Sequence, residues 1–239
     1  SFNIACTNVM LNTAVADELM QFADELEKAD DFEAALSKLI RRELAAHRRI
    51  LFNGNGYSEE WPIEAERRGL LNLRSTPEAL IHYTDEKNVA LFARHGVYTR
   101  TEIQSRQDIN MEEYAKIIHI EALTLIDMLG KLIVPACAAY SKQLAEGVAA
   151  KAGIGVDAPA EAAQVRLLTE KTAELIERAE RLKAVVAAEP EELNARAMYE
   201  HEAVIPAMEA ARQVADELEG RVGKEYWPMP SYADLLFYV

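Results

Sequence analysis

The chain has 239 residues, 50% of them hydrophobic and 28% charged, with only ten Gly and eight Pro, so it is long enough to bury a core and is neither disordered nor fibrous. Its formal charge of −14 disfavours nucleic acid, which would require a local basic stripe. The nearest candidate, Arg41-Arg42 with His47-Arg48-Arg49, sits beside Glu43 among many other acids and reads as a solvated helix face.

In chain order, Leu11 to Lys28 has helical periodicity, with Leu11, Val15, Leu19, Phe22 and Leu26 at spacings of three and four. Asp30-x-x-Glu33 is a capping box for a second helix carrying Phe32, Leu36, Leu39, Ile40 and Leu44. Asn53-Gly-Asn-Gly56 ends that stretch, and its composition predicts tight turns or positive φ. A short acidic helix around Trp61 follows, with Gly69 as its C′ residue. Ser75-Thr-Pro-Glu78 opens the next helix with Pro77 in the first turn. His95-Gly96 closes another apolar stretch, and Thr99-x-x-Glu102 is a further capping box.

From Met111 a long helix is expected to run to about Ala150, kinked at Pro135. Gly147 to Pro159 reads as a turn, Ala160 to Ala188 as a second long helix, and Glu191 to Val222 as a third with Pro206 inside it. Long helices joined by short turns imply an antiparallel hairpin or bundle. Period-two alternation is nearly missing, so the fold class is mainly α. The expected organisation is an N-terminal helical part over 1–109, a bundle over 110–223 and a tail over 224–239. The tail carries Tyr226, Trp227 and Phe237 with Pro228 and Pro230, and Ser231 is expected to cap a turn bearing Leu235 and Leu236. Its aromatic content predicts that it docks on its own domain or on a neighbouring subunit.

Motifs that carry chemistry are weak. The Asn53–Gly56 loop lacks both the third Gly of a dinucleotide fingerprint and the Lys-Ser/Thr of a phosphate loop. Glu43/His47 and Glu78/His82 are one helical turn apart and read as surface pairs. His119-x-Glu121 and Glu200-His-Glu202 fall in the bundle, but neither Glu-x-x-His nor His-Glu-x-x-His occurs. His119 and His201 therefore read as polar members of helix faces, and a metal site made wholly from this chain is not expected. Glu59-Glu60, Glu112-Glu113 and Glu191-Glu192 fit first turns, where the helix dipole favours acids. Glu121 and Asp127 lie among apolar residues and are expected to pair within the bundle. No Ser has a nucleophile-elbow context. No apolar run approaches the ~20 residues of a membrane span. No basic-then-apolar leader opens the sequence, and the isolated Cys6 and Cys137 suit a reducing, cytoplasmic setting. The opening Ser1-Phe-Asn-Ile reads like the middle of a longer polypeptide.

Four blocks, Arg49-Ile-Leu-Phe-Asn-Gly-Asn-Gly-Tyr-Ser-Glu-Glu-Trp61, Glu64-Ala-Glu-Arg-Arg-Gly-Leu-Leu-Asn-Leu73, Ile120-Glu-Ala-Leu-Thr-Leu-Ile-Asp-Met128 and Tyr226-Trp-Pro-Met-Pro-Ser-Tyr-Ala-Asp-Leu-Leu-Phe237, resemble the C-terminal third of type III glutamine synthetases. Leu11-Asn-Thr-Ala-Val-Ala16 resembles that family's stretch after its last catalytic strand. The resemblance implies the closing helices of a catalytic domain, then a helical extension, in a cytoplasmic homo-oligomer of stacked hexameric rings. It further implies an enzyme that uses ATP and Mg²⁺ or Mn²⁺ to phosphorylate glutamate, with ammonia displacing phosphate. The family's Lys-Phe-Glu-Phe-Arg signature would lie before Ser1. No catalytic, cofactor-binding or metal residue is therefore carried onto this chain. The expected role is scaffold and oligomer contact within the ligase. Two other readings stand beside it: a stand-alone helical interaction module, and, more weakly, a metal-dependent bundle enzyme.

Overall fold

A computed structural model describes residues 4–230 and 232–237, with the side chains of 232 and 233 left aside. Among the described residues every regular element is a helix. The chain divides into two compact units, 1–110 and 111–239.

The first unit opens with α1 (Ala5–Leu26) and α2 (Phe32–Ala46). The second helix is capped by Asp31, whose side chain accepts a hydrogen bond from the Ala34 amide at 3.1 Å, one residue later than the expected Asp30 box. The apolar stripe of α1 behaves unexpectedly. Leu11, Val15 and Leu19 are exposed, while the buried positions are Thr13 and Asp17. On α2 only Leu39 is buried, and Phe32, Ile40 and Leu44 face outward. An apolar groove of about 510 Å³ runs between these helices, lined by Leu19, Phe22, Leu26, Leu36, Ile40 and Leu44 among others.

The Asn53–Gly56 loop meets the expectation of tight turns rather than positive φ, with the Ser58 amide donating to the Asn55 carbonyl at 3.2 Å. A Cβ on Gly54 would come within 2.4 Å of the Phe52 ring, so close approach to an aromatic side chain, rather than backbone handedness, requires glycine there. The Phe52 ring packs on Trp61 of α3 (Glu60–Arg67) with centroids 4.3 Å apart. Gly69 does take the left-handed conformation, at φ 70°, and ends α3 as its sequence context requires. Next come α4 (Thr76–Leu80), opened by the Ser75–Glu78 capping box, and α5 (Glu86–Arg94). Val89, Phe92 and Ile103 form one buried cluster of this unit, with Val9, Met10, Tyr83 and Tyr98 packed against them.

Thr99 and Glu102 exchange hydrogen bonds and begin α6 (Arg100–Met128). The helix therefore starts well before Met111, and the division between units falls inside it. The second unit continues through α7 (Val134–Gly153) and α8 (Pro159–Val186). Gly147 is helical, so the turn is confined to 154–158. After Pro190 come α9 (Leu193–Tyr199) and α10 (Ile205–Glu219). The α8 helix packs on both α7 and α10. Leu168, Leu175 and Leu182 recur every seven residues on α8, and all three are fully buried. The first two join Leu129, Cys137, Val214 and Leu218 in one cluster, and Leu182 joins Ala122 and Val204 in another.

Both internal prolines have a structural reason. A π-turn, 129–133, lies between α6 and α7, where the Val134 amide bonds to the Leu129 carbonyl. A second, 200–204, joins α9 to α10 through a bond from the Ile205 amide to the Glu200 carbonyl. In an ordinary helix Pro135 and Pro206 would each lack one amide donor and collide with the preceding turn. The wider turn immediately ahead of each proline relieves that collision and lets the helix resume.

Beyond α10, Tyr226 and Trp227 pack against the bundle core, with Tyr226 against Tyr140 at a ring-centroid distance of 5.3 Å. In α11 (Tyr232–Leu236) and just after it, Leu235, Leu236 and Phe237 are exposed. The cap expected from Ser231 lies outside the described residues.

Candidate functional site

Most of the sequence candidates resolve into local structural contacts. His47 lies 3.3 Å from Glu43 on an exposed face. Glu78 accepts hydrogen bonds from the Ser75 amide and hydroxyl, and His82 lies 3.1 Å from Asp85. Arg42 reaches both Glu25 and Glu43, which leaves the basic cluster on α2 partly neutralised by its neighbours. Glu121 and Asp127 are exposed rather than paired within the bundle, because their positions on α6 face away from its buried residues; Asp127 forms an ion pair with Lys131, one turn on. Neither Cys6 nor Cys137 is in a disulfide, and burial pushes the Cys137 thiol up, away from reactivity.

In the first unit, buried Asp17 accepts hydrogen bonds from His95 at 2.8 Å and Arg94 at 2.6 Å. The His95 bond, followed by the Arg94 bond and charge, holds its carboxyl below the usual carboxylate range against the effect of burial. This network ties α1 to the end of α5. Arg68 has a similar fastening role: it donates to the carbonyls of Arg49 and Leu51 at 3.2 and 2.8 Å and to Glu64 at 2.6 Å. Its guanidinium also lies over Phe52. Arg67 and Arg68 together pull the Glu64 carboxyl down to about 2.

The second unit holds a cluster of a different kind. His119 of α6, Glu189 of the segment after α8, and Glu200 at the start of the second π-turn place one ligand atom each within 4.8 Å of one another. His119 Nδ1 is 2.7 Å from Glu189 Oε1. Glu200 is fully buried, and neither carboxylate oxygen has a hydrogen-bond donor; it faces the Glu189 carboxylate, another acceptor, with which it can pair only by sharing a proton. Burial and then the charge of Glu189 push Glu200 up to about 7, with His119 and Arg196 pulling the other way. Burial, with the Glu200 charge second, also raises the Tyr114 phenol.

Local sequence explains the placement. The α8 helix stops at Val186, and Pro190 restricts the backbone of the preceding Glu189. Arg196 pins that segment by donating to the Pro190 carbonyl at 2.8 Å, and Glu192 caps α9 through the Asn194 and Ala195 amides. Tyr199 donates to the Val185 carbonyl at 3.0 Å, closing the same loop from its other side. His119 and Glu200 are among the bundle residues weighed from the sequence. Glu189 was not weighed, because its sequence signal is that of a helix end. The internal Pro206 is the one available pointer: it demands a disturbed turn ahead of it, and Glu200 begins that turn.

The described residues form a mainly α domain with a loop fastened by arginine, and comparison with known proteins identifies its family. Residues 35–152 match the family model described as Glutamine synthetase C-terminal domain. The type-3 glutamine synthetase of Dictyostelium discoideum is 36% identical over 247 residues, covering 98% of this chain and 33% of that protein. The glutamine synthetase of Butyrivibrio fibrisolvens is 34% identical over 215 residues, covering 87% and 30%, and that of Bacteroides fragilis is 31% identical over 254 residues, covering 99% and 34%. The chain belongs to the glutamine synthetase family, as a C-terminal portion. It spans about a third of the length of these curated relatives.

Proposed function

We propose that the chain serves as the C-terminal scaffold of an ATP-dependent glutamate–ammonia ligase, contributing subunit and interdomain contacts rather than reacting groups. The observation that carries this reading is the uncovered apolar stripe of α1 and α2. Leu11, Val15 and Leu19 repeat at helical spacing and yet face outward, beside a groove whose lining is almost wholly aliphatic. Large exposed apolar faces mark surfaces meant to be covered. The relatives have about twice as much additional chain to cover it.

In this reading ATP and Mg²⁺ or Mn²⁺ are held by the preceding part of the enzyme, where the ions would neutralise charge on the transferred phosphoryl group. Two grooves of the described residues lack the lining that phosphates require. The α1–α2 groove carries a single carboxylate among aliphatic side chains, and a second groove is lined by Ala138, Ser141, Thr169, Thr172, Ala173 and Ile176. No phosphoryl-transfer step is assigned to this chain. Assembly into stacked hexameric rings and a cytoplasmic location belong to the same proposal. The described residues contain no helix long and apolar enough to cross a membrane.

The test compares the isolated chain with the full-length enzyme. The chain alone is expected to show no γ-glutamyl transfer, and removal of residues 110–239 from the full-length enzyme is expected to change its size distribution. Transferase activity from the chain alone, or an unchanged assembly after truncation, would refute the scaffold role.

A further inference from the structure

We infer that His119, Glu189 and Glu200 form a binding site for a divalent transition cation of the zinc class, held by one imidazole nitrogen and two carboxylates. The inference goes beyond the ligase reading and is independent of it. Three features carry it. The ligand atoms already converge within 4.8 Å, from three segments separated in sequence. Glu200 directs a fully buried carboxylate into that space with a hydrogen-bond donor to neither oxygen. Native interiors rarely leave such a group unsatisfied, and coordination is one of the few ways to satisfy it. Finally, the His119 ring is 38% exposed and Glu189 12%, which gives an ion a path to the buried carboxylate from one side.

The ligand chemistry selects the ion. An imidazole favours zinc, copper, iron or nickel over magnesium and calcium, which prefer all-oxygen shells. Zinc–ligand distances of about 2.0–2.2 Å in a tetrahedral shell put neighbouring ligand atoms roughly 3.3 Å apart. The His119–Glu189 pair, now at 2.7 Å, must therefore open by roughly half an ångström as the ion replaces the hydrogen between them. The half-exposed imidazole and the loop at Pro190 can supply that movement. The resulting site would tie α6, the loop after α8 and the start of the second π-turn together.

The competing occupant is a proton on Glu200, shared with the Glu189 carboxylate, and the experiment separates the two. Protein stripped with chelator and dialysed is titrated with Co²⁺ alone, then Zn²⁺ alone, with visible absorption and thermal melting as readouts. A cation site predicts saturable d–d absorption at one Co²⁺ per chain and a melting temperature raised by Zn²⁺. Glu200→Gln keeps the side-chain shape and can donate to Glu189, so it preserves folding while removing a ligand. It and His119→Gln are each expected to weaken Zn²⁺ binding by at least about tenfold, since even outer-shell changes cost that much. The inference is overturned if no saturable binding occurs at micromolar ion, or if both variants bind like the parent. It is equally overturned if Zn²⁺ leaves the melting temperature unchanged while Glu200→Gln melts at or above the parent, which identifies the occupant as a proton.

Discussion

The double substitution Val15→Lys/Leu19→Lys tests whether the outward stripe of α1 is an interface. The two side chains are 57% and 60% exposed in this chain. Full burial of such a residue contributes about 1.5–3 kcal/mol, so each retains about 1–2 kcal/mol of unrealised burial, or about 2–4 kcal/mol for the pair. Lysine is a good helix former, and its methylene stem can lie along the groove while the ammonium stays in water. In the isolated chain the double variant is therefore expected to unfold within about 1 kcal/mol of the parent in urea. Leu175→Ala, at a fully buried position in the bundle core, should cost about 2–5 kcal/mol in the same assay. In the full-length enzyme the order reverses in consequence. Two lysines forced into an apolar contact lose the burial and add a desolvation cost, so the oligomer should dissociate or the melting temperature should fall. If the double variant destabilises the isolated chain as much as Leu175→Ala does, the stripe belongs to this chain's own core. If the full-length enzyme assembles and melts unchanged, nothing covers the stripe. Either result refutes the argument.

Trp227→Ala should cost about 2 kcal/mol in thermal or urea melting, roughly half the price of a fully buried aromatic, because the ring packs on the bundle core but remains partly accessible; an unchanged stability would show that the tail is not anchored there. Asp17→Asn should flatten the acid limb of the stability curve. The folded carboxyl lies below its unfolded value, so the unfolded state binds more protons and stability is lost as pH falls through and beneath the usual carboxylate range. Urea midpoints from pH 7 downward check this, and a parallel acid limb in parent and variant would refute it.

Legibility from sequence differed between the two units for a physical reason. Caps are local, so Ser75/Glu78, Thr99/Glu102 and Gly69 were readable from a few residues, and each appears in the structure. The long helix expected over 160–188 is present as α8, and its Leu168, Leu175 and Leu182 are buried. The stripe on α1 has the same periodicity, yet it stays exposed, because periodicity records that a face is apolar and says nothing about which chain covers it. At Asn53–Gly56 the composition announced the turn but not the reason for Gly54. Gly54 answers to the ring of Phe52, and a contact of that sort has no backbone signature. The bundle cluster needed three segments to converge, and Glu189 beside Pro190 looked only like a helix end.

The π-turns connect the fold to the buried carboxylate. Leu129 and Glu200 each open a widened turn, and a proline follows each of them six residues later. The turns answer the same steric problem, but the residue that opens each one differs in kind. Leu129 is a fully buried hydrocarbon in the core shared by α7, α8 and α10. Glu200 is equally buried and ionisable, facing Glu189 and His119. If the wide turn served only to admit a proline, an apolar residue would suffice at its start, as it does at Leu129, and a glutamate there would be destabilising. The glutamate therefore calls for an occupant that compensates it, proton or cation, and the second π-turn is where the bundle's structural logic departs from packing alone.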